Sequence, residues 1–398
     1  MSISPFSALP SPPSHHQTFR GRDPRSRRNA PSIIRSSDDT ATAVVYCEGQ
    51  FGDVDGKTAN GLIRHSKKYE ILSVIDSKRA GLDSGVVLDG LANNIPVCRD
   101  LMDAIQNAGN MPKYFIFGLA PASGKLSKQE RHIVIEAIEL GMNIVCGLHE
   151  FLSDDPQFTA ASATHGVSII DVRKPRPKKD LRVFSGRVTE VTCPRIAILG
   201  TDCAIGKRTT ATILSRVLND SGLKAAMIGT GQTGLIQGAR YGVALDAVPS
   251  QFCCGELEAT IVEAFEAENP DVIIVEGQGA LSHPAYSTSS FILRGSCPDA
   301  VILQHAPGRL ARCDFPGVPM PSPATEIAMI QAFCQTKVIG LTINHENLTA
   351  AECDDAIMQY EHELNIPAAD ALVSPNVLAD MVLAAFPGLE EKLTASTR

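Results

Sequence analysis

Gly200-Thr-Asp-Cys-Ala-Ile-Gly-Lys-Arg-Thr-Thr210 follows the apolar run Arg195-Ile-Ala-Ile-Leu-Gly200 and leads into the helix-forming stretch Arg208 to Leu218. The apolar run reads as a buried parallel strand. A glycine-bounded loop that closes on Gly-Lys at the start of a helix is the arrangement of a phosphate-binding loop. In such a loop the backbone N–H groups converge, and the helix N-terminus adds its partial positive charge, so phosphate oxygens are held without hydration. Gly200, Thr201, Gly206 and Lys207 form the cradle in this reading, and Lys207 supplies the full charge. The bland alternative is that the glycines only shape a strand-to-helix turn.

The loop departs from the usual pattern twice. Five residues separate Gly200 from Gly206 instead of four, a spacing that resembles dethiobiotin-synthetase-like P-loop proteins, whose loop also opens Gly-Thr-Asp. The hydroxyl that ordinarily follows the lysine and ligates Mg²⁺ is replaced by Arg208, with Thr209 and Thr210 one and two positions later. Phosphate binding survives that change, whereas metal-assisted phosphoryl transfer loses a ligand.

Downstream, strands keep ending in polar loops. Lys224-Ala-Ala-Met-Ile-Gly229 runs into Thr230-Gly-Gln-Thr-Gly234, read as a second polar loop in which Gln232 and Thr233 meet substrate or phosphate. Asp271-Val-Ile-Ile-Val-Glu276 resembles a Walker B strand, so Glu276 reads as a magnesium or water ligand, or equally as a general base. His283 and Tyr286 follow as further acid/base or hydrogen-bonding groups. Asp299-Ala-Val-Ile-Leu303 leads to Arg309 and Arg312, forked donors suited to a carboxylate or phosphate. Lys337 to Asn344 closes the set, with Asn344 where dethiobiotin-synthetase-like proteins place a base-reading asparagine.

The first half alternates in the same way. Strands are expected at Ala43 to Cys47, Glu70 to Ile75, Tyr114 to Gly118, Asn143 to Cys146 and Val167 to Asp171, and helices at Lys57 to His65 and Lys128 to Leu140. Strand–helix alternation implies a parallel sheet covered on both faces. Gly49-Gln-Phe-Gly52 after the first strand and Asp76 after the second follow Rossmann-like logic, but the G-x-G-x-x-G fingerprint is incomplete. A dinucleotide site and a plain glycine turn both fit. His149 and Glu150 lie just past a strand, where ligands bind in such sheets, although a surface histidine beside a capping residue fits equally. The basic, proline-broken stretch Arg173 to Lys179 reads as an interdomain linker. The expected division is residues 1–40 as a tail, 41–186 as a Rossmann-like α/β domain, and 187–398 as an α/β domain of P-loop NTPase fold.

The chain has 398 residues, 44% of them hydrophobic and 20% charged, the composition of a globular protein of two or three domains. Its net charge of −8 is uneven: Met1 to Ser37 carries six arginines against one acid, and the remainder stands at −13. An acidic body argues against nucleic-acid binding, and no apolar run reaches membrane-spanning length. The Ser-, Pro- and Arg-rich tail lacks an apolar segment and has the composition of an organellar transit peptide, plastid (chloroplast stroma) ahead of mitochondrial matrix. A basic extension on a cytoplasmic protein is the alternative. The 11 cysteines contain no C-x-x-C pair, show no metal-ligand spacing, and read as reduced thiols. Cys203, inside the loop, is read as packing before nucleophile.

Taken in order, several motifs resemble the D-glutamate N-acetyltransferase-like family, long catalogued as a domain of unknown function. They are the Gly49 to Arg64 segment, Gly118-Leu-Ala-Pro121, Gly147-Leu-His-Glu-Phe-Leu152 with Ser153-Asp-Asp155, and Asp171-Val-Arg-Lys-Pro175. In the second half they are Gly200 to Thr210, Thr230 to Gly234, Glu276-Gly-Gln-Gly279 with His283-Pro284, and His305 with Gly308-Arg309. The resemblance implies a Rossmann-like domain followed by a P-loop domain. It also implies transfer of an acetyl group from acetyl-CoA to the amine of a small amino acid, D-glutamate. Coenzyme A carries a pyrophosphate and a 3′-phosphate, so a P-loop can hold it without cutting a phosphate bond. Acyl transfer then requires a base, for which Glu276 and His283 are candidates, with Asp202 beside them. Arg294, Arg309 and Arg312 are candidate carboxylate clamps, and Lys207 and Thr209 a phosphate grip. The competing enzyme reading is an ATP- and Mg²⁺-dependent ligase or kinase using Thr209 and Glu276. A third is a nucleotide-gated binding protein whose domains close on a ligand. A homo-oligomer with no resident metal is expected.

Overall fold

The computed structural model describes residues 41–121 and 123–396, so the transit-peptide reading of residues 1–40 falls outside it. Six strands form the first sheet: β1 (Ala41–Tyr46), β2 (Tyr69–Ile75), β3 (Val97–Cys98), β4 (Tyr114–Phe117), β5 (Asn143–Cys146) and β6 (Ile169–Asp171). Their order is β3-β2-β1-β4-β5-β6 and every pairing is parallel. Val44, Val45, Phe115, Ile116, Phe117 and Ile144 have no accessible surface, because helices cover both faces.

That strand order places a ligand crevice where the chain reverses direction, between β1 and β4. Asp76 is wholly buried and accepts hydrogen bonds from the N–H groups of Gly49 (3.1 Å), Phe51 (3.0 Å) and Lys78 (3.0 Å). Phe51 lies in the core of the first half with no exposed surface. The acid that would read a ribose instead holds the turn, which favours the glycine-turn reading of Gly49 to Gly52 over the dinucleotide reading.

The second sheet comprises β7 (Arg195–Gly200), β8 (Ala225–Gly229), β9 (Tyr241–Gly242), β10 (Val272–Glu276), β11 (Ala300–His305), β14 (Lys337–Ile343) and β15 (Ala368–Asp370). It is parallel throughout, in the order β15-β14-β11-β7-β10-β8-β9. A short antiparallel hairpin, β12 (Ala311–Arg312) with β13 (Phe315–Pro319), stands apart from it. Alternate side chains of β7 serve opposite cores. Ile196 and Ile198 pack with Leu214 and Leu218 of the helix Lys207–Asp220 and with Leu378 and Val382 of Pro375–Ala385. Ala197 and Leu199 pack with Leu257 and Ile261 of Ser250–Glu268, Ile292 of Thr288–Ser296 and Ile330 of Pro323–Phe333. The central strand is thus clamped on both faces, and the loop leaving it at Gly200 starts from a fixed point.

Both sheets belong to one compact unit. Arg173, at the start of the expected linker, is only 9% exposed; it donates to the Gly147 carbonyl and to Asp246 Oδ2 (3.0 Å), and so is a clasp between the two halves. Beyond it, Arg182 pairs with the buried Glu256, and the Ser185 N–H and hydroxyl donate to the buried Glu258. No helix among the described residues is long and apolar enough to cross a membrane.

Candidate functional site

The phosphate loop owes its shape to side chains that hold its carbonyls. The Thr201 carbonyl accepts from Arg312 Nη1 (3.3 Å), that of Asp202 from Lys207 Nζ, and that of Cys203 from Arg309 Nη1 (3.0 Å). Arg309 Nη2 reaches the Ala204 carbonyl (3.2 Å) and Asn344 Nδ2 the Ile205 carbonyl (3.1 Å). Ala204 (φ 49°) and Gly206 (φ 98°) turn the backbone through the left-handed region. With every carbonyl from Thr201 to Ile205 drawn outward, the amides are left over. Among the described residues, no N–H from Asp202 to Thr209 donates a hydrogen bond to the protein. Converging N–H groups without acceptors at a helix N-terminus are a preformed anion site. Burial pulls the Lys207 ammonium down to about 8, with Cys203 and Asp202 opposing that shift.

This changes the roles of several residues predicted as ligand contacts. Arg309 has its guanidinium committed to the loop, to Asp202 Oδ2 (3.1 Å) and to Glu346 Oε2 (2.6 Å), so it shapes the loop and is not a free carboxylate clamp. Arg312, 5% exposed, is engaged with Thr201 and with the hydroxyl of Ser282 (2.8 Å), and is likewise a scaffold residue. Asn344 holds the Ile205 carbonyl and accepts from the Glu346 N–H (2.9 Å), which leaves its side chain no reading role. Thr201 and Thr210 point under the loop, not into it. Thr201 Oγ1 meets His305 Nδ1 at 2.8 Å, and Thr210 Oγ1 donates to Gln304 Oε1 (2.5 Å), which also takes the Thr342 hydroxyl (2.6 Å). Burial lowers His305 to about 4, so it stands neutral in that knot. Asp202, wholly buried, is held by Arg309 and the Cys313 N–H (2.8 Å), and cannot touch a substrate.

Glu276 does face the site. It ends β10 at 5% exposure, and its Oε2 accepts the Thr230 N–H (3.0 Å). Burial raises its carboxyl above the usual range; Arg208, the Thr230 and Gly231 amides and Lys207 work against that. Arg208, in the place of the magnesium hydroxyl, does not turn its guanidinium into the cradle. It donates to Gln237 Oε1 and lies where a side chain on Gly61 of the first domain would be, 2.5 Å from an ideal Cβ. Only the Arg208 backbone N–H remains for a phosphate. Its charge sits beside Glu276, where a metal ion would otherwise compensate that carboxylate.

The expected second polar loop is the start of a short helix, Gln232–Gln237. Gln232 packs on Gly147, and Thr233 Oγ1 lies 3.4 Å from Thr58 Oγ1, so both residues sit where the two halves meet. The helix Lys57–His65 opens with Lys57, whose charge acts on Cys203 and Cys313 of the second half. Gln278, whose amide donates to the Thr230 carbonyl, and Lys57 are the site residues that the sequence reading missed. A lysine opening a helix carries no local mark of facing a loop so far away in the chain.

His283 is not a free base. Its side chain is wholly buried, stacked on Tyr286 (centroids 4.5 Å apart), and its Nδ1 accepts the Ala285 N–H (3.2 Å), which places the neutral ring's proton on Nε2. Arg294 is not brought to the loop: it lies on the last turn of Thr288–Ser296, exposed, over the Phe333 ring at 4.8 Å. Glu150 is structural, pairing with Arg131 (2.7 Å) and accepting the Leu126 N–H (2.9 Å), and His149 faces Asp246 at 3.8 Å. The structure therefore brings Lys207 within electrostatic reach of Glu276 at the end of the loop of free amides, with Gln232 and Thr233 where the two halves meet and Lys57 acting on Cys203.

Comparison with known proteins agrees with the two-domain fold. Residues 182–378 match the P-loop domain of a domain of unknown function, DUF1611, and residues 77–175 match its Rossmann-like N-terminal domain. A D-glutamate N-acetyltransferase from a Pseudoalteromonas species is 32% identical over 267 residues, spanning 65% of this chain and 78% of the relative. Another from Tritonibacter scottomollicae is 30% identical over 294 residues, 72% of this chain and 84% of the relative. The crystal structure of a DUF1611 family protein from Anabaena variabilis aligns with TM-score 0.79 at 29% identity, covering 87% of this chain and 99% of that one. Carrying both domain types in order, with relatives of N-acetyltransferase name along most of its length, this chain belongs to the DUF1611 family.

Proposed function

We propose that the protein moves an acetyl group from acetyl-CoA to the amine of a small amino acid such as D-glutamate, with the phosphate loop holding the coenzyme's phosphates. The observation that carries this reading is the loop itself. Its amides from Asp202 to Thr209 stand without acceptors, while the position that would ligate magnesium holds Arg208. Such a cradle suits a phosphate that is gripped and left intact. Each charge-assisted N–H bond to phosphate is worth about 1.5–3 kcal/mol, so a few amides and Lys207 suffice for micromolar binding without a metal. The coenzyme supplies an activated thioester; the remaining work falls to the chain.

Glu276 is the base that takes a proton from the incoming ammonium, because a buried carboxyl of raised affinity for protons is matched to that transfer. The amine then attacks the acetyl carbon; as the adduct collapses, its second nitrogen proton passes to the departing thiolate, and Glu276 releases the first to solvent. With Arg294, Arg309 and Arg312 engaged elsewhere, we assign the substrate carboxylate to Lys57, whose charge reaches Cys203 of the phosphate loop. The names of the two relatives support the acceptor class.

The test is thiol release from acetyl-CoA, followed in the presence and absence of D-glutamate and without added magnesium. Release that requires the amino acid and ignores magnesium supports the reading. No release, together with magnesium-dependent ADP formation from ATP, would sink it in favour of a ligase.

A further inference from the structure

The cysteines lack any metal-ligand spacing in the sequence, yet the fold gathers three different donors at the base of the phosphate loop. Asp202, Cys203 and His283 each offer one ligating atom, and all three atoms lie within 4.8 Å of one another. His283 Nε2 and Asp202 Oδ1 are 3.7 Å apart. Both side chains are wholly buried, and among the described residues neither of these atoms has a hydrogen-bond partner. A buried polar atom left bare loses its hydration without a replacement, which is destabilising, and more so when the atom is charged. Two of them aimed at one another and at a thiol mark a place where something is bound.

We infer that Asp202, Cys203 and His283 are the protein ligands of a transition-metal dication of zinc type, with water as the fourth ligand. Bonds of about 2.0–2.3 Å in a tetrahedral site put donor atoms roughly 3.3–3.8 Å apart. The His283–Asp202 separation of 3.7 Å stands a few tenths of an ångström above the N–O value of roughly 3.3–3.5 Å, and Cys203 is half-buried on a loop, so small side-chain rotations close the site. The mixed oxygen, nitrogen and sulfur set favours zinc over magnesium, because thiolate is a soft ligand. This place is distinct from the magnesium position that Arg208 has taken.

Charge and proton balance set the terms of loading. Arg312 Nη1, 4.0 Å from Asp202 Oδ1, opposes a cation, so binding requires two anionic ligands, the carboxylate and the thiolate. The Cys203 thiol therefore releases its proton to solvent, and the His283 ring moves its own from Nε2 to Nδ1, giving up the long Ala285 contact. The metal then ties the phosphate loop to the Leu281–Ser287 segment, with Cys203 as its only ligand that solvent reaches.

The test uses the full chain, stripped with a chelator and titrated with Co²⁺ and then Zn²⁺, and does not depend on any enzymatic activity. Expected are one equivalent of Co²⁺, tetrahedral visible bands, a thiolate-to-cobalt charge-transfer band, and one proton released per metal at neutral pH. Cys203→Ser should abolish the charge-transfer band and weaken binding about tenfold or more, whereas Cys313→Ser should keep the band. His283→Gln provides a second ligand variant. Absence of stoichiometric uptake, or identical spectra from wild type and Cys203→Ser, overturns the inference; a buried water bridging Asp202 and His283 would give that blank titration.

Discussion

Arg309→Met separates a loop-shaping arginine from a substrate-binding one. The replacement keeps an unbranched apolar stem of similar reach and removes every donor. Lost are the bonds to the Cys203 carbonyl (3.0 Å), the Ala204 carbonyl (3.2 Å) and Asp202 Oδ2 (3.1 Å), along with the Glu346 pair. Stripping one partner from a buried ion pair costs about 3–5 kcal/mol. The lower end applies here, because the Cys313 N–H still holds Asp202. The Glu346 pair adds little, since its carboxylate is 37% exposed. The binding effect follows from geometry. Without the two carbonyl tethers, the Cys203–Ala204–Ile205 amides lose their common direction. Forfeiting one or two charge-assisted bonds to phosphate, about 1.5–3 kcal/mol each, weakens coenzyme binding by roughly 10- to 100-fold or more. Calorimetric titration of coenzyme A and of ADP, on protein whose fold is verified by circular dichroism, measures this. If coenzyme affinity stays within about twofold of wild type while KM for the amino acid rises tenfold, Arg309 binds substrate and the reasoning about the loop fails.

Glu276→Gln should melt higher than wild type at neutral pH while losing about 10²-fold or more in acyl transfer. Burial raises this carboxyl's folded-state pKa, so its contribution to stability is full below the unfolded value of about 4.3 and is lost as pH rises through the folded value. Melting curves from pH 4 to 8 should therefore show the variant's advantage vanish at the acid end, and an advantage independent of pH would contradict the assignment. Arg208→Thr restores a hydroxyl after Lys207 and removes the charge beside Glu276, so ADP binding should become magnesium-dependent by about tenfold; titrations with and without magnesium decide it. In Gly234→Ala the new Cβ would lie 2.5 Å from Glu276 Oε2, so the carboxylate must move. Turnover should fall at least about tenfold with coenzyme affinity nearly unchanged, since the phosphate loop is untouched.

Strands covered on both faces by helices need unbroken apolar runs, and such runs are visible in one dimension. Asn143–Cys146 and Arg195–Gly200 have the bounds expected of them, as does the helix Lys57–His65. The longest helix, Ser250–Glu268, escaped the reading for a physical reason. Its buried residues include Glu256, Glu258 and Thr260 alongside Leu257 and Ile261, so it lacks a one-sided apolar stripe. Those acids are buried because they hold Arg182 and the Ser185 and Val188 amides of the segment entering the second half, a tertiary demand with no local signature. Gln232 and Thr233 read as loop in the sequence, since a six-residue helix opening after Gly231 has too little sequence to show a period.

For the site, sequence supplied positions and not directions. Arg309, Arg312 and Asn344 all follow strands of the second sheet near the loop, where either a ligand or a loop carbonyl can take their hydrogen bonds. A loop with more carbonyls to satisfy needs more donors around it, and this one is a residue longer than the usual phosphate loop and contains a non-glycine residue, Ala204, at positive φ. The arginines are thus the consequence of the loop's extra length, not evidence about its substrate. The same logic sharpens the reading of Arg208. If the protein hydrolysed nucleotides, a cation opposite Glu276 would have to come and go with its ligand. A guanidinium anchored to Gln237 and packed on Gly61 of the other half is permanent, and it makes the compensating charge at Glu276 part of the contact between the two halves. Any motion that parts the Lys57–His65 helix from the Gln232–Gln237 helix would therefore change the Glu276 proton affinity together with the spacing of the two halves.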